Sequence, residues 1–234
     1  MKQEEQHGFD KKWESDVYGA GRQLNLYPFD VVVGFVARNF SRVNDRKDVK
    51  ILDVGCGAGN HAWYLAREGF SVFGIDGSAS AISFAKSRLA KDGLSAELVV
   101  GDITDMDWND TGFDFVLDRG SITHNRRNDV IRTLAKIGQM LKPGGLFLSQ
   151  MFSTRHASRE FGRDLGDGSY DNFSGGYFHD IALTFFAGLD DFEELYPDTL
   201  KITSIQHVLS EIPGDPASTS AFWNVSAVST RATD

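Results

Sequence analysis

The chain has a single cysteine, Cys56, among 234 residues. That excludes an internal disulfide and a cysteine-based metal cluster. No apolar run approaches the roughly 18–20 residues that a membrane helix needs, and the chain opens on the polar segment Met1-Lys2-Gln3-Glu4-Glu5-Gln6. A signal peptide and a membrane span are therefore not expected, and the cytoplasm is the expected compartment. Basic residues are scarce in the last third, where residues 160–234 carry three Lys/Arg against thirteen Asp/Glu; the formal net charge is -9. A chain without a broadly basic face is a poor fit to a nucleic-acid substrate held by its backbone. His-x-x-x-His is absent, and no set of hard oxygen ligands is recognisable, so no metal is expected. The dinucleotide run Gly-x-Gly-x-x-Gly begins at neither Gly55 nor Gly57.

What is present is an alternation of strand and helix signals. Strands are expected at 50–54, 71–75, 96–100, 113–118 and 145–151, and helices at 59–68, 79–92 and 127–141, with Gly69 and Gly93 as C-cap residues. A helix from Phe29 to Phe40 precedes them. Ile202 to Glu211 and Ala221 to Thr230 read as strands joined through Pro213-Gly214-Asp215-Pro216. This order implies an α/β fold: a doubly wound, mostly parallel, seven-stranded Rossmann-like sheet ending in a C-terminal antiparallel strand pair. Neither an internal repeat nor a linker divides the chain, so 1–234 is expected to be one domain. Residues 184–195 read as a short helix with Thr184 as its cap. The Gly-, Ser- and Asp-rich stretch 153–180 lacks periodic apolar residues and reads as an insert covering a substrate.

The most informative run is Ile51-Leu52-Asp53-Val54-Gly55-Cys56-Gly57-Ala58-Gly59, an apolar strand entering a glycine-dense turn before a helix. Glycines there let backbone approach a ligand, and the helix N-terminus that follows favours negative charge. The next strand ends on Asp76, seventeen residues after Gly59, placed to accept from a ribose diol.

These segments, with Phe73-Gly74-Ile75-Asp76, Gly101-Asp102-Ile103, Phe113-Asp114-Phe115-Val116-Leu117-Asp118 and Leu141-Lys142-Pro143-Gly144-Gly145, resemble class I S-adenosylmethionine-dependent methyltransferases of the small-molecule type. The likeness covers roughly residues 47–151, and the five segments occur in the family's order. It implies S-adenosylmethionine as cofactor and S-adenosylhomocysteine as product. Asp76 would then take the ribose hydroxyls, Asp102 the adenine amine, Ile103 the adenine face and Asp53 the methionine ammonium. Gly55, Cys56, Gly57 and Gly59 would form the loop around the methionine part, with Gly77, Ser78, Asp118 and Arg119 at the neighbouring strand ends. Trp13 and Arg22 would come from an N-terminal helical cap, residues 1–46.

His124, Arg119 and His156 are the expected catalytic residues, with His124 as a general base for a hydroxyl or amine. His179 is a weaker candidate, and His61, in the first helix, is expected to pack or to lie near the cofactor. Arg119, Arg126, Arg127, Arg155 and Arg159 follow the fourth and fifth strands, which suggests an acceptor with an anionic group. Trp13, Tyr18, Arg22 and Tyr27 are candidates to cover the methionine end or shape the acceptor pocket, and Tyr170, Phe173, Tyr177 and Phe178 to form an aromatic lid. The expected reaction is methyl transfer to oxygen or nitrogen of a small molecule such as a metabolite, sugar or nucleotide-linked sugar, by a monomer or homodimer. A protein or RNA methyltransferase of the same fold and a non-catalytic cofactor-binding module remain alternatives. The absence of an Asn/Asp-Pro-Pro-Tyr motif weakens base or glutamine methylation, and the glycine spacing weakens an NAD-dependent oxidoreductase.

Overall fold

A computed structural model describes residues 8–106, 112–179, 181 and 183–232. The expected ranges 1–46, 153–180 and 1–234 thus extend, at 1–7, 107–111, 180, 182 and 233–234, beyond the described residues.

In chain order the strands are β1 (Lys50–Val54), β2 (Ser71–Asp76), β3 (Glu97–Val100), β4 (Phe113–Arg119), β5 (Leu141–Phe152), β6 (Arg163–Asp164), β7 (Ser169–Asp171), β8 (Thr184–Phe185), β9 (Leu200–Ile212) and β10 (Asp215–Ser229). Seven of them form one sheet of order β3-β2-β1-β4-β5-β10-β9. The first five are mutually parallel, and β10 runs antiparallel to both neighbours. This is the doubly wound sheet with a C-terminal antiparallel pair that the alternation of signals implies.

The helices are α1 (Asp30–Phe40), α2 (Asn60–Arg67), α3 (Ala79–Lys91), α4 (Arg127–Met140) and α5 (Phe192–Leu195). Side chains of a strand point alternately to the two faces of a sheet. Ile51, Phe115 and Leu117 accordingly pack on one face with Phe35 of α1, Leu65 of α2 and Ile82 of α3. Leu52, Val54 and Val116 pack on the other with Val130, Leu134 and Ile137 of α4. With both faces covered, the parallel strands are apolar almost throughout. The helix ends follow local chemistry. Ser78 Oγ accepts from Ala81 N at 3.0 Å and caps α3, while Gly69 (φ +91°) and Gly93 (φ +68°) take the left-handed geometry just past α2 and α3.

Two expectations change. Residues 184–195 do not form one helix, and Thr184 is no cap. Thr184–Phe185 is β8 of a small sheet of order β6-β7-β8, and only Phe192–Leu195 is α-helical after a 3-10 turn. The run from Thr184 to Ala187 is buried on every side, and Phe185 O accepts from Thr123 Oγ1 at 2.6 Å. A short run buried all round carries no period that separates strand from helix. The second change concerns 153–180. It is folded, with β6 and β7 inside it and Tyr170, Phe173 and Phe178 clustered with Phe186 from just beyond it.

Candidate active site at the strand ends

The order of the main sheet reverses between β1 and β4, which pair through Val54 and Asp118. From β1 the chain passes to β2 on one side; from β4 it passes to β5 on the other. The turns leaving the two strands therefore diverge and open a crevice beyond their carboxyl ends. A cavity of about 1080 Å³, counting the space at its mouth, occupies that crevice.

The glycine loop forms one wall. Gly57 has φ +50°, its N–H donates to Asp76 Oδ2 at 2.8 Å, and a Cβ there would run into the Tyr18 hydroxyl. A side chain at Gly55 would strike Ser121, whose Oγ donates to Gly55 O at 3.0 Å. Cys56 lines the same wall, its thiol pushed well up by burial. Gly59 has a different task. A Cβ there would lie 2.6 Å from Ala85 Cβ, so this glycine lets α2 approach α3 and does not line the cavity.

Three buried carboxylates end the neighbouring strands: Asp53, Asp76 and Asp118. Burial raises the pKa of each, and Asp76 and Asp118 add to the rise at Asp53. Asp76 Oδ1 accepts from Ser78 N at 2.9 Å, which fixes the carboxylate at the mouth of the loop. Asp53 Oδ2 has no hydrogen-bond partner, but contrary to expectation Asp53 does not line the cavity: it is buried within the strand, behind the loop. It lies 4.0 Å from His61 Nδ1, but burial pushes His61 down to about 3, so that contact is not an ion pair. Clustered anionic groups with an unsatisfied oxygen favour a cationic ligand group.

Asp118 belongs to the scaffold. Ser121 N (2.9 Å), Ile122 N (3.1 Å) and Ser149 Oγ (2.7 Å) all donate to it, and it does not line the cavity; burial, outweighing these bonds, pushes it up to about 6. Its role is to hold the turn that follows β4. Ser78 likewise caps α3 and gives its hydroxyl to Glu14 at 2.5 Å, away from the cavity.

Across the crevice Asp102 and Ile103 line the cavity. Asp102 Oδ1 accepts from Thr104 N and Oγ1, each at 2.8 Å, and Oδ2 from Phe9 N at 2.6 Å. The Phe9 ring lies on Gly77, where a Cβ would overlap it. The N-terminal segment thus closes one end of the cavity. It continues as a π-helical turn, Trp13–Tyr18, which Glu14 pins to the start of α3 through Ser78 Oγ, Ser80 Oγ (2.6 Å) and Ser80 N (3.2 Å). Trp13 lines the cavity as expected. Arg22 does not: it is exposed and donates through Nε to Asp16 O at 2.6 Å. Tyr27 is also exposed and off the lining.

The other end is aromatic. His124 packs edge-on to Trp13 at 4.8 Å and lies 5.7 Å from Phe152. Its Nδ1 sits 3.3 Å from Leu183 O and 3.0 Å from Thr184 Oγ1. A carbonyl only accepts, so Nδ1 carries the proton and Nε2 keeps its lone pair. Burial holds His124 neutral, at about 4. Arg119 lines the cavity with its guanidinium 3.4 Å over the Phe29 ring.

His156 is not on the lining. Its Nδ1 accepts from Ser158 N at 3.1 Å and its ring stacks on Phe178 at 4.9 Å, so it caps a turn within the insert's core. His179 is exposed and off the lining. Tyr177 and Phe178 reach the cavity, whereas Tyr170 and Phe173 support them from behind. Phe9, Asn60, Asn125, Phe152 and Ile181 also line it without any signal in the sequence. They come from five separate segments, and no local pattern connects them.

This is an α/β protein with a nucleotide-type crevice at the sheet's switch point. The family profile described as a methyltransferase domain matches residues 51–145. Phosphoethanolamine N-methyltransferase 1 of Arabidopsis thaliana is 35% identical over 134 residues, covering 56% of this chain and 27% of that protein. Fatty-acid O-methyltransferase of Mycolicibacterium smegmatis is 36% identical over 125 residues, covering 53% of this chain and 44% of that protein. The chain thus spans under half the length of these two relatives. The crystal structure of a SAM-dependent methyltransferase of Methanosarcina mazei superposes with a TM-score of 0.66 at 20% identity, covering 87% of this chain and 99% of that one, and it shares the fold. Residues 51–145 thus match a methyltransferase domain, and the chain is similar to methyltransferases over that region. Among the described residues, no helix is long and apolar enough to cross a membrane.

Proposed function

We propose that the chain binds S-adenosylmethionine in this crevice and transfers its methyl group to an oxygen or nitrogen of a small molecule. The observation that carries the reading is the glycine loop on the cavity wall beside Asp76, whose carboxylate Gly57 N and Ser78 N hold at the mouth of the loop. A buried carboxylate fixed in this way gains from the hydroxyl donors of a ribose. The loop's glycine cradle, closed by Tyr18, leaves backbone rather than side chains to meet the ligand's methionine part. Asp76 would take the ribose hydroxyls and Asp102 the adenine amine, with Ile103 and Phe9 against the ring.

Bound there, the cofactor supplies a methyl group already activated on a sulfonium. This chain's own residues then hold the acceptor in line and exclude water, which accounts for much of the acceleration such a transfer needs. His124 Nε2, with its lone pair free, takes a proton from a hydroxyl acceptor. The chamber formed with Trp13, Phe152 and Phe178 accepts a molecule with an apolar body.

Calorimetric titration with S-adenosylhomocysteine, and with NAD in parallel, tests the reading. Saturable binding of the first alone is expected. Asp76→Ala should weaken it by roughly a thousandfold, because two hydrogen bonds to a charged acceptor, each about 1.5–3 kcal/mol, are lost. Binding of NAD without S-adenosylhomocysteine would sink the proposal.

A further inference from the structure

Arg119 is a half-buried cation on the cavity wall with no ion-paired carboxylate. Its Nε is buried with no hydrogen-bond partner, and among the described residues the guanidinium has neither a hydrogen bond nor an ion pair. The other arginines near it in sequence differ. Arg126 pairs with Asp167 at 2.9 Å, Arg127 with Asp191 at 2.6 Å and Glu194 at 2.7 Å, and Arg159 donates to the Tyr170 hydroxyl at 2.8 Å. Arg155 is exposed and off the cavity lining. Of the five arginines that follow β4 and β5, Arg119 alone lines the cavity.

Phe29 covers one face of its guanidinium at 3.4 Å. A covered face leaves the planar edge to bond, and that fork matches carboxylate and phosphate oxygens. An unpaired buried charge is unfavourable until an anion arrives. Position says which anion. Asp76 lines the glycine-loop side at the end of β2, whereas Arg119 ends β4, the strand whose following turn carries His124, and lies within electrostatic reach of Tyr177, His124 and His61.

We propose that Arg119, stacked on Phe29, is the specificity residue for an anionic methyl acceptor and binds its carboxylate or phosphate while the acceptor's apolar body fills the aromatic chamber. The inference rests on the reading of this cavity as a cofactor and acceptor site.

The test uses benzoate and phenyl phosphate as probes and benzamide as the neutral match, titrated by calorimetry into the protein saturated with S-adenosylhomocysteine. At least one anion should bind tenfold or more tightly than benzamide. Arg119→Gln should erase that preference and Arg119→Lys keep part of it, with affinity for S-adenosylhomocysteine changed less than threefold. Arg155→Gln should alter nothing. If Arg119→Gln fails to fold, Arg119→Lys and Phe29→Leu serve instead, each lowering the preference several-fold. Equal binding of charged and neutral probes by the wild type, or a preference that survives these variants, overturns the assignment. So does a tenfold or greater loss of S-adenosylhomocysteine affinity in Arg119→Gln, which would give the arginine to the cofactor's own carboxylate. Failure of the wild type to bind S-adenosylhomocysteine is a separate result: it overturns the cofactor reading and removes the acceptor assignment with it.

Discussion

The two ends of the cavity are built differently. The end at β1 and β2 is backbone and carboxylate: Gly55 and Gly57 in left-handed geometry, Asp76 held by two backbone N–H groups, Asp53 beside them. The end beyond β4 and β5 is side chain and aromatic. His124, Phe152, Tyr177 and Phe178 meet there from a turn, a strand end and the insert. A backbone cradle fixes one ligand and tolerates little change. A chamber of side chains borrowed from an insert can be reshaped without disturbing the sheet. The difference assigns the constant partner to the first end and the variable one to the second.

Three changes would break or sharpen that division. The largest falls on the chamber. His124→Gln should lower kcat for a hydroxyl acceptor by about a hundredfold, the scale of a lost general base, with S-adenosylhomocysteine affinity unaffected. Because burial holds His124 at about 4, the wild-type rate should stay level from neutral pH down to about 5 and fall as the imidazole protonates below that. A steady-state pH profile with an unchanged rate in the variant would leave positioning alone as the catalytic device.

Next comes the insert's core. His156 is held neutral at about 4 by burial, against about 6.5 in an unfolded chain. Between those values the unfolded chain takes up the proton and the folded one does not. The stability due to a neutral His156 is therefore complete above pH 6.5 and lost as pH falls toward 4. From pH 7.5 to pH 5 this amounts to about 2 kcal/mol, so His156→Phe should shrink the difference in unfolding free energy between those pH values by about that amount. Denaturant unfolding at both pH values checks it; equal slopes would mean that the imidazole is not buried in the folded insert.

The smallest effect belongs to the cofactor end. Glu14 clamps the N-terminal segment to α3, and its hydrogen bonds to Ser78 and Ser80 hold its carboxyl below the usual range. Glu14→Gln keeps an acceptor but loses the charge. It should weaken S-adenosylhomocysteine binding only about two- to fivefold, since a partly solvated bond of this kind contributes little. Trypsin should cut at Lys11 or Lys12 sooner than in the wild type. Unaltered binding and cleavage would show that the segment closes the cavity without the clamp.

The asymmetry also governed what could be read in advance. The glycine-loop end lies within one stretch, from Gly55 to Ile103, where each strand runs straight into the loop that bears its cavity-lining residue. Asp118 and Ser78 looked like members of that end, but both are spent on the scaffold, one holding the turn after β4 and the other capping α3. His156 looked catalytic in a polar stretch, yet the stretch folds around its own aromatic core. Phe9, Asn60, Asn125, Phe152 and Ile181 carried no signal, because a cavity lining drawn from distant segments has no period.

By itself the sequence determined the parallel sheet, the helices on its two faces, the glycine loop and the acids at the strand ends. Each depends on residues a few positions apart, where periodicity and turn chemistry act. Only the tertiary structure decided which arginine stays unpaired on the cavity wall, which histidines meet the cavity, and that Thr184–Phe185 form a strand. These outcomes depend on burial and on partners tens of residues away: Asp167 for Arg126, Asp191 and Glu194 for Arg127, Phe29 alone for Arg119. Burial sets what a charge costs, and distant partners decide whether that cost is met inside the protein or by a ligand.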